Sequence, residues 1–257
     1  MGSTDHNTGT SASFHHPAGI TTDGTNLYVV DYGNHRIRKI VISTGVVTTL
    51  AGSSSIGSTD ATGTSASFSN PSGITTDGTN LYVADYGNHR IRKIVIDNGT
   101  VTTLAGSSLG STDATGTSAS FNNPSGITTD GTNLYVSDQS NQRIRKIVIS
   151  TGVVTTLAGS GSQGLGDHPT GTSASFKYPN EITTDGTNLY VADQSNHRIR
   201  KIVIDNGTVT TLAGSSTGYA DNATGTSASF DTPYGITTDG TNLYVSDPGN
   251  HRIRKIE

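Results

Sequence analysis

The sequence predicts an all-β chain of five repeated four-stranded units, and three observations predict it. The string ITTDGTNLYV starts at Ile20, Ile74, Ile127, Ile182 and Ile236, so one unit of 53 to 55 residues fills the 257-residue chain. Inside each unit, short runs with strand-type alternation are bounded by glycine, asparagine and aspartate. The run RIRKIVI is apolar on both faces, because Ile37 and Val41 point one way and Ile40 and Ile42 the other. A sheet that is greasy on both sides must be sandwiched, and five in succession can sandwich one another about an axis. That arrangement is a β-propeller, with one blade per repeat. A linear β-solenoid is the lesser alternative, since it uses shorter rungs and parallel pairing.

Each element follows from its own residues. The first strand is GITTD, as in Gly19 to Asp23, and the DGTN turn after it has glycine and asparagine where positive φ is needed. The second strand is NLYVVD, Asn26 to Asp31, rich in strand formers. A short loop, YGNH, leads to the third strand, Arg36 to Ile42. The turns STGV or DNGT then lead to the fourth, Val46 to Gly52. No segment has helical period. The units run 15–68, 69–121, 122–176, 177–230 and, incomplete, 231–257, with 1–14 as the link into the first blade of a single domain. Each link holds one phenylalanine, at Phe14, Phe68, Phe121, Phe176 and Phe230, read as a plug between neighbouring blades.

The unit P-x-G-I-T-T-D-G-T-N-L-Y-V-x-D-x-x-N-H-R-I-R-K-I resembles the NHL repeat, and the link G-T-x-A-x-F-x-x-P is similar to the bacterial form of that repeat. The resemblance spans all five units. It implies a propeller, most often six-bladed, that serves as a binding platform for protein, RNA or ligand. It also implies one enzymatic relative, the amidating lyase, whose ring holds zinc through histidines.

Composition narrows the function. The net charge is −4 and the pI near 6.0, with 16 basic residues against 20 acids. Fifteen of the 16 basic residues sit in the five copies of N-H/Q-R-I-R-K-I; only Lys177 lies elsewhere. Dispersed, acid-matched charge argues against a nucleic-acid surface, which wants continuous positive potential and stacking aromatics. The copies instead suggest structural aspartate–arginine pairs across the loop between second and third strands. These pairs are Asp31 with Arg36, Asp85 with Arg90, Asp138 with Arg143, Asp193 with Arg198, and Asp247 with Arg252. With no cysteine there is no disulfide or thiolate metal site. Nothing resembles a membrane span or a signal peptide, so a soluble chain of unknown compartment is expected.

No catalytic set emerges, and no cofactor or metal is expected. His35, His89, His197 and His251 are equivalent, with Gln142 in the fifth place, and fall in the blade body. A zinc held by such histidines in a lyase- or lactonase-like enzyme, or an RNA-binding domain, are the rival readings. The preferred reading is a non-enzymatic scaffold or binding platform for a protein or small ligand. Near-identity of the units points to recent duplication or engineering. Where the copies differ, they differ in the loop after the second strand and the segment before the first, which emerge at the same rim around the channel mouth. The contact candidates are therefore His15, His16, Tyr32, Tyr86, Gln139, Lys177, Tyr178, Glu181, Gln194 and Tyr234.

The string VTTLAG occurs four times, not five. The last blade is expected to lack its outer strand, leaving Arg252 to Ile256 as an open edge suited to self-association. A closed five-bladed ring is the preferred reading of that count, and an open five-blade part of a six-bladed ring is the alternative.

Overall fold

In the computed structural model, which describes residues 2–257, every repeat folds as an antiparallel meander. The first blade is β1 (Pro17–Thr22), β2 (Asn26–Asp31), β3 (Arg36–Val41) and β4 (Val47–Ala51). The second is β5 (Pro71–Thr76), β6 (Asn80–Asp85), β7 (Arg90–Val95) and β8 (Val101–Ala105). The third is β9 (Pro124–Thr129), β10 (Asn133–Asp138), β11 (Arg143–Val148) and β12 (Val154–Ala158). The fourth is β13 (Pro179–Thr184), β14 (Asn188–Asp193), β15 (Arg198–Val203) and β16 (Val209–Ala213). The last has three strands, β17 (Ile236–Thr238), β18 (Leu243–Asp247) and β19 (Arg252–Ile256). The chain is an all-β propeller of five blades, four of them four-stranded. No helix among the described residues is long and apolar enough to cross a membrane.

The first strands begin earlier than the sequence suggests. β1, β5, β9 and β13 each open on a proline, which needs no ladder N–H at a strand's first position. A bulge between Pro17 and Ile20 accommodates that start, and the equivalent bulge recurs in the second and fourth blades. The DGTN turn is held by its aspartate: Asp185 accepts the N–H groups of Thr187 (2.8 Å) and Asn188 (2.6 Å) and the Tyr190 hydroxyl (2.8 Å). Burial alone would raise the Asp185 carboxyl, but these donors outweigh it and hold it at about 2. The loop after each second strand is a single 3-10 turn that ends on a residue in left-handed conformation, such as His35 at φ 54°.

The chain packs as two compact units: the part through Ile127 with Thr151–Val153, and Thr128–Ser150 with Val154–Glu257. In the first unit, Tyr28, Val30, Ile37 and Ala51 of the first blade pack against Ile74, Leu81, Val83 and Ile94 of the second. Ala66 and Phe68 of the link fill the space between. The second unit repeats this pattern: Tyr135, Ile144 and Ala158 face Ile182, Leu189, Val191 and Ile202, with Phe176 as the filler. Phe68, Phe121, Phe176 and Phe230 are all buried, and each such ring contributes about 1.5–3 kcal/mol through burial. Neighbouring sheets thus cover one another's apolar faces within each unit. Ile20, Ile42 and Ile253 lack that cover: Ile20 is 60% exposed where Ile74 is buried, Ile253 is 73% exposed where Ile199 is buried, and Ile42 is 50% exposed.

Candidate functional site

The arginine pairing differs from the sequence expectation. Arg36 lies opposite Asp31 on the β2–β3 ladder, but the ion pair goes to Arg38, two residues farther along the same face. Arg38 Nη1 donates to Asp31 Oδ2 at 2.9 Å and to the Ser13 carbonyl at 3.0 Å, and Nη2 donates to Asp5 Oδ1 at 2.6 Å. The same node forms from Arg92 with Asp85 and Asp60, and from Arg200 with Asp193 and Asp167. Asp138 pairs with Arg145, and Asp247 and Asp221 with Arg254. Thus the buried partners of Asp31, Asp85, Asp193 and Asp247 are Arg38, Arg92, Arg200 and Arg254 rather than Arg36, Arg90, Arg198 and Arg252, and Asp138 pairs with Arg145, two residues beyond Arg143. The reason is reach: the second arginine runs diagonally back under the link, where its guanidinium lies over the link phenylalanine, 5.1 Å from the Phe68 centroid for Arg92. Arg36 instead donates to the Ser3 carbonyl at 3.1 Å.

Three histidines of the repeat, His35, His89 and His197, are latches between blades. His35 Nδ1 accepts the N–H of Asn70 at 3.0 Å, His89 Nδ1 that of Asn123 at 3.1 Å, and His197 Nδ1 that of Thr232 at 3.1 Å. Gln142 does the same with an amide oxygen, accepting the Tyr178 N–H at 2.7 Å. An accepting Nδ1 requires the tautomer protonated on Nε2. Burial lowers the pKa of His35 and His89. A group whose folded pKa is depressed contributes stability that is present above its unfolded value of about 6.5 and lost as pH falls through the folded value. His89→Ala is therefore expected to cost about 1 kcal/mol near pH 7.5 in urea unfolding. His89→Gln is expected to be near neutral there and to flatten the acid-side loss. Equal losses for both variants would contradict the latch.

The variable positions come together at one end of each blade. The Gly33 N–H donates to the His15 carbonyl (2.8 Å), Gly87 to Ser69 (2.8 Å), Ser195 to Lys177 (3.1 Å) and Gly249 to Asp231 (3.1 Å). In the first unit, His15 is half-buried, with its N–H on Asp31 Oδ1 at 2.7 Å and its ring edge-on to the exposed His16 ring at 4.6 Å. Tyr32 is partly buried against the apolar core, so it serves packing as much as contact, and Tyr86 is half-buried. In the second unit, Gln139 and Gln194 are half-buried, and Gln194 Oε1 accepts the Asn180 amide at 3.1 Å. Lys177 gives its N–H to Asp193 at 2.8 Å, while Tyr178 and Tyr234 are each 40% exposed.

Glu181 stands apart. Its equivalents Gly19 and Gly73 lie where a Cβ would come within 2.6 Å of the Ser72 carbonyl and 2.4 Å of the Ser125 carbonyl on the next blade's first strand. Glu181 carries a Cβ at that close approach, and the neighbouring first strand, β17, is cut to Ile236–Thr238. The Glu181 N–H reaches the Tyr234 carbonyl at 3.4 Å, and burial pushes its carboxyl up to about 7 against the single pull of the Ile182 N–H. Among the described residues no three His, Asp or Glu side chains gather as a metal site.

Comparison with known proteins places this architecture. The family model of the NHL repeat matches residues 14–40 and 68–94. NHL repeat-containing protein 2 of Bos taurus is 31% identical over 96% of this chain, and that of Homo sapiens 30% identical over the same share. The chain belongs to the NHL-repeat β-propeller family. This NHL chain spans 39% of the length of those two relatives. It also shares its fold with a solved nidogen/laminin complex (TM-score 0.67, 20% identity, 94% of this chain and 75% of that one). A second fold match is an auxiliary nutrient binding protein of Bacteroides thetaiotaomicron (TM-score 0.64, 18% identity, 95% and 69%), and a third is a streptogramin B lyase (TM-score 0.57, 15% identity, 96% and 70%).

In this NHL propeller the asparagine, the histidine and the second arginine of the repeat all serve the scaffold. Asn88 donates to Asp85 at 2.8 Å and to the Gly57 carbonyl at 2.6 Å, His89 latches the next blade, and Arg92 fills the buried node. The NHL fold supports a repeat-scaffold or binding role, and the constant residues provide the scaffold part.

Proposed function

We propose that the chain is a non-enzymatic binding platform that contacts a protein partner through the loop end of its blades. One observation carries this reading. The residues repeated in every blade are spent on ion-pair nodes, latches and plugs, while the residues that vary are drawn to one end of each blade by the hydrogen bonds between its two variable segments. The second unit offers the most developed patch: Lys177, Tyr178, Gln194 and Tyr234, with the Glu181 carboxyl buried behind it. Two tyrosines, each 40% exposed, are the kind of side chain that carries binding energy at interface hot spots. Fold alone does not choose a function, since binding proteins and a lyase share it.

The test is selection of binders from a displayed random-peptide library against the whole chain. The expected peptides lose at least tenfold in affinity when Tyr178→Asn and Tyr234→Ser install the residues of the second blade, and keep it when the DGTN hairpins at the other end are altered. Binders indifferent to the tyrosines, or no binders at all, would remove the proposal.

A further inference from the structure

We infer that Ile56, Arg90 and Leu109 of the first unit form a docking site for an extended protein segment in which one carboxylate is flanked by apolar side chains. Such a site rests on the reading of the chain as a binding platform but uses none of the residues of the tyrosine patch, so either can fail without the other.

In the second blade the first arginine, Arg90, stays outside the buried ion-pair node and makes no ion pair among the described residues. Its Nη1 and Nη2 donate to the Ser58 and Ser107 carbonyls at 3.4 and 3.5 Å, and its Nε is buried without a partner. A guanidinium has five donors in a planar fork, and two bonds that long satisfy little of it. The carboxylates around it are committed or distant. Asp85 and, from the link, Asp60 are both taken by Arg92. Asp77 and Asp97 lie in the hairpins after β5 and β7, at the opposite end of the blade from the loop that precedes Arg90. A half-buried guanidinium with its fork unfilled is complementary to a carboxylate brought by a partner.

The same two carbonyls place the apolar groups. Ser58 lies two residues after Ile56 and Ser107 two residues before Leu109, so Arg90 spans the two link segments that carry them. Ile56 is 69% exposed and Leu109 64%. Their backbones are fixed: Ile56 bridges Phe68 and Leu109 bridges Phe121, and the Gly57 and Gly110 N–H groups donate to the carbonyls of those phenylalanines at 3.1 and 3.0 Å. The Asn88 amide, in the loop after β6, donates to the Gly57 carbonyl at 2.6 Å and ties this segment to the loop end of the blade.

Packing does not account for the two apolar side chains. They stand in segments otherwise built of serine, glycine and threonine, S-S-S-I-G-S-T and S-S-L-G-S-T. The second unit shows that the fold needs nothing apolar there, since the residues that bridge Phe176 and Phe230 in the same way are Gln163 and Thr217. Two exposed branched side chains flanking a cation, on a rigid backbone, are matched by an apolar–acid–apolar segment, which covers the first two and fills the fork of the third. A nucleic acid would stack its bases on aromatic faces, and isoleucine and leucine offer none. An anionic bilayer would meet a chain whose net charge is −4.

The experiment uses the whole chain and a displayed random-peptide library, counter-selected on a chain carrying Ile56→Gln and Leu109→Thr, the residues that the second unit holds at those positions. Peptides kept by the first chain and not by the second are expected to carry an aspartate or glutamate with apolar residues on both sides. One of them, labelled with fluorescein, is then followed by fluorescence anisotropy. Arg90→Ala, with folding checked by circular dichroism, is expected to weaken it about tenfold or more, and replacing its acid by the amide to do the same. Both changes together are expected to cost little more than either alone, because they remove one contact. Tyr178→Asn with Tyr234→Ser is expected to leave the affinity unchanged. A loss there with none from Arg90→Ala would give the peptide to the tyrosine patch and overturn this site alone. An empty selection, selected peptides without carboxylates, or additive losses would overturn it too. So would retention of phosphatidylserine vesicles or of mixed RNA oligonucleotides that Arg90→Ala abolishes, for lipid or RNA would then be the ligand.

Discussion

Asp85→Ala is expected to destabilise the protein by about 3–5 kcal/mol, the range for removing one partner of a buried ion pair. Arg92 is fully buried, and Asp85 takes its Nη1 at 2.7 Å together with the Asn88 amide at 2.8 Å and the Ser69 N–H at 2.8 Å. Deleting the carboxylate strands a desolvated cation and two further donors. Asp60, 45% exposed, remains on Nη2 but cannot satisfy Nη1. The comparison is Arg90→Ala, which removes contacts to the Ser58 and Ser107 carbonyls at 3.4 and 3.5 Å and is expected to cost less than about 1 kcal/mol. Urea unfolding of both variants decides between the two arginines. Equal costs would return the structural pairing to Arg90. A triple replacement, Asp60→Ala, Asp85→Ala and Arg92→Met, is expected to recover part of the loss. Well-packed apolar groups can replace a buried ion cluster at little cost, whereas a half-dismantled one is the least stable form.

That contrast marks what the sequence could and could not reveal. Strand positions were legible because a period of two and turn residues act locally: β2 spans Asn26–Asp31 as read, and β3 and β4 end within a residue of their expected limits. Ladder neighbours were legible too, since Asp31 does lie across from Arg36. The ion pair was not, because ladder position says little about how a long arginine side chain runs. It depends on a link that crosses the blade and delivers Asp5, Asp60 or Asp167 from more than 30 residues away. The aspartates in the recurring S-T-D of the links, at Asp5, Asp60 and Asp113, were the available signal. The histidine latch was hidden for the same reason: its acceptor role exists only once the next blade's backbone is in place. The Gln142 exchange hinted at it, because glutamine preserves an acceptor and would be a poor choice for a zinc ligand. Among the contact candidates, Tyr178 and Tyr234 are each 40% exposed, whereas Tyr32 is partly buried against the core, which loop position alone does not reveal.

Glu181 was visible as the single replacement of a repeated glycine, but its consequence needed the distance between neighbouring first strands. Its carboxyl is raised from 4.5 to about 7 by burial, so the folded chain holds a proton that the unfolded chain releases. Stability must then fall as pH rises between those values, by at most about 3 kcal/mol once pH exceeds 7. Below about pH 4.5 the carboxyl is protonated in both states and the penalty vanishes. Glu181→Gly is therefore expected to raise stability by about 1–3 kcal/mol at pH 8. Near pH 4.5 it is expected to leave stability unchanged or slightly lower, since glycine carries about 0.5–1 kcal/mol of extra chain entropy. Glu181→Gln separates charge from shape: it removes the pH dependence but keeps the Cβ that sits where Gly73 allows only 2.4 Å. Amide exchange adds a local reading, for only the glycine variant is expected to extend β17 back toward Pro233 and protect the Tyr234 N–H beyond its present bond to the Ser246 carbonyl. Urea midpoints that run parallel from pH 4.5 to 8 in all three proteins would show that Glu181 ionises freely. Unchanged Tyr234 exchange in the glycine variant would show that the shortening of β17 has another cause.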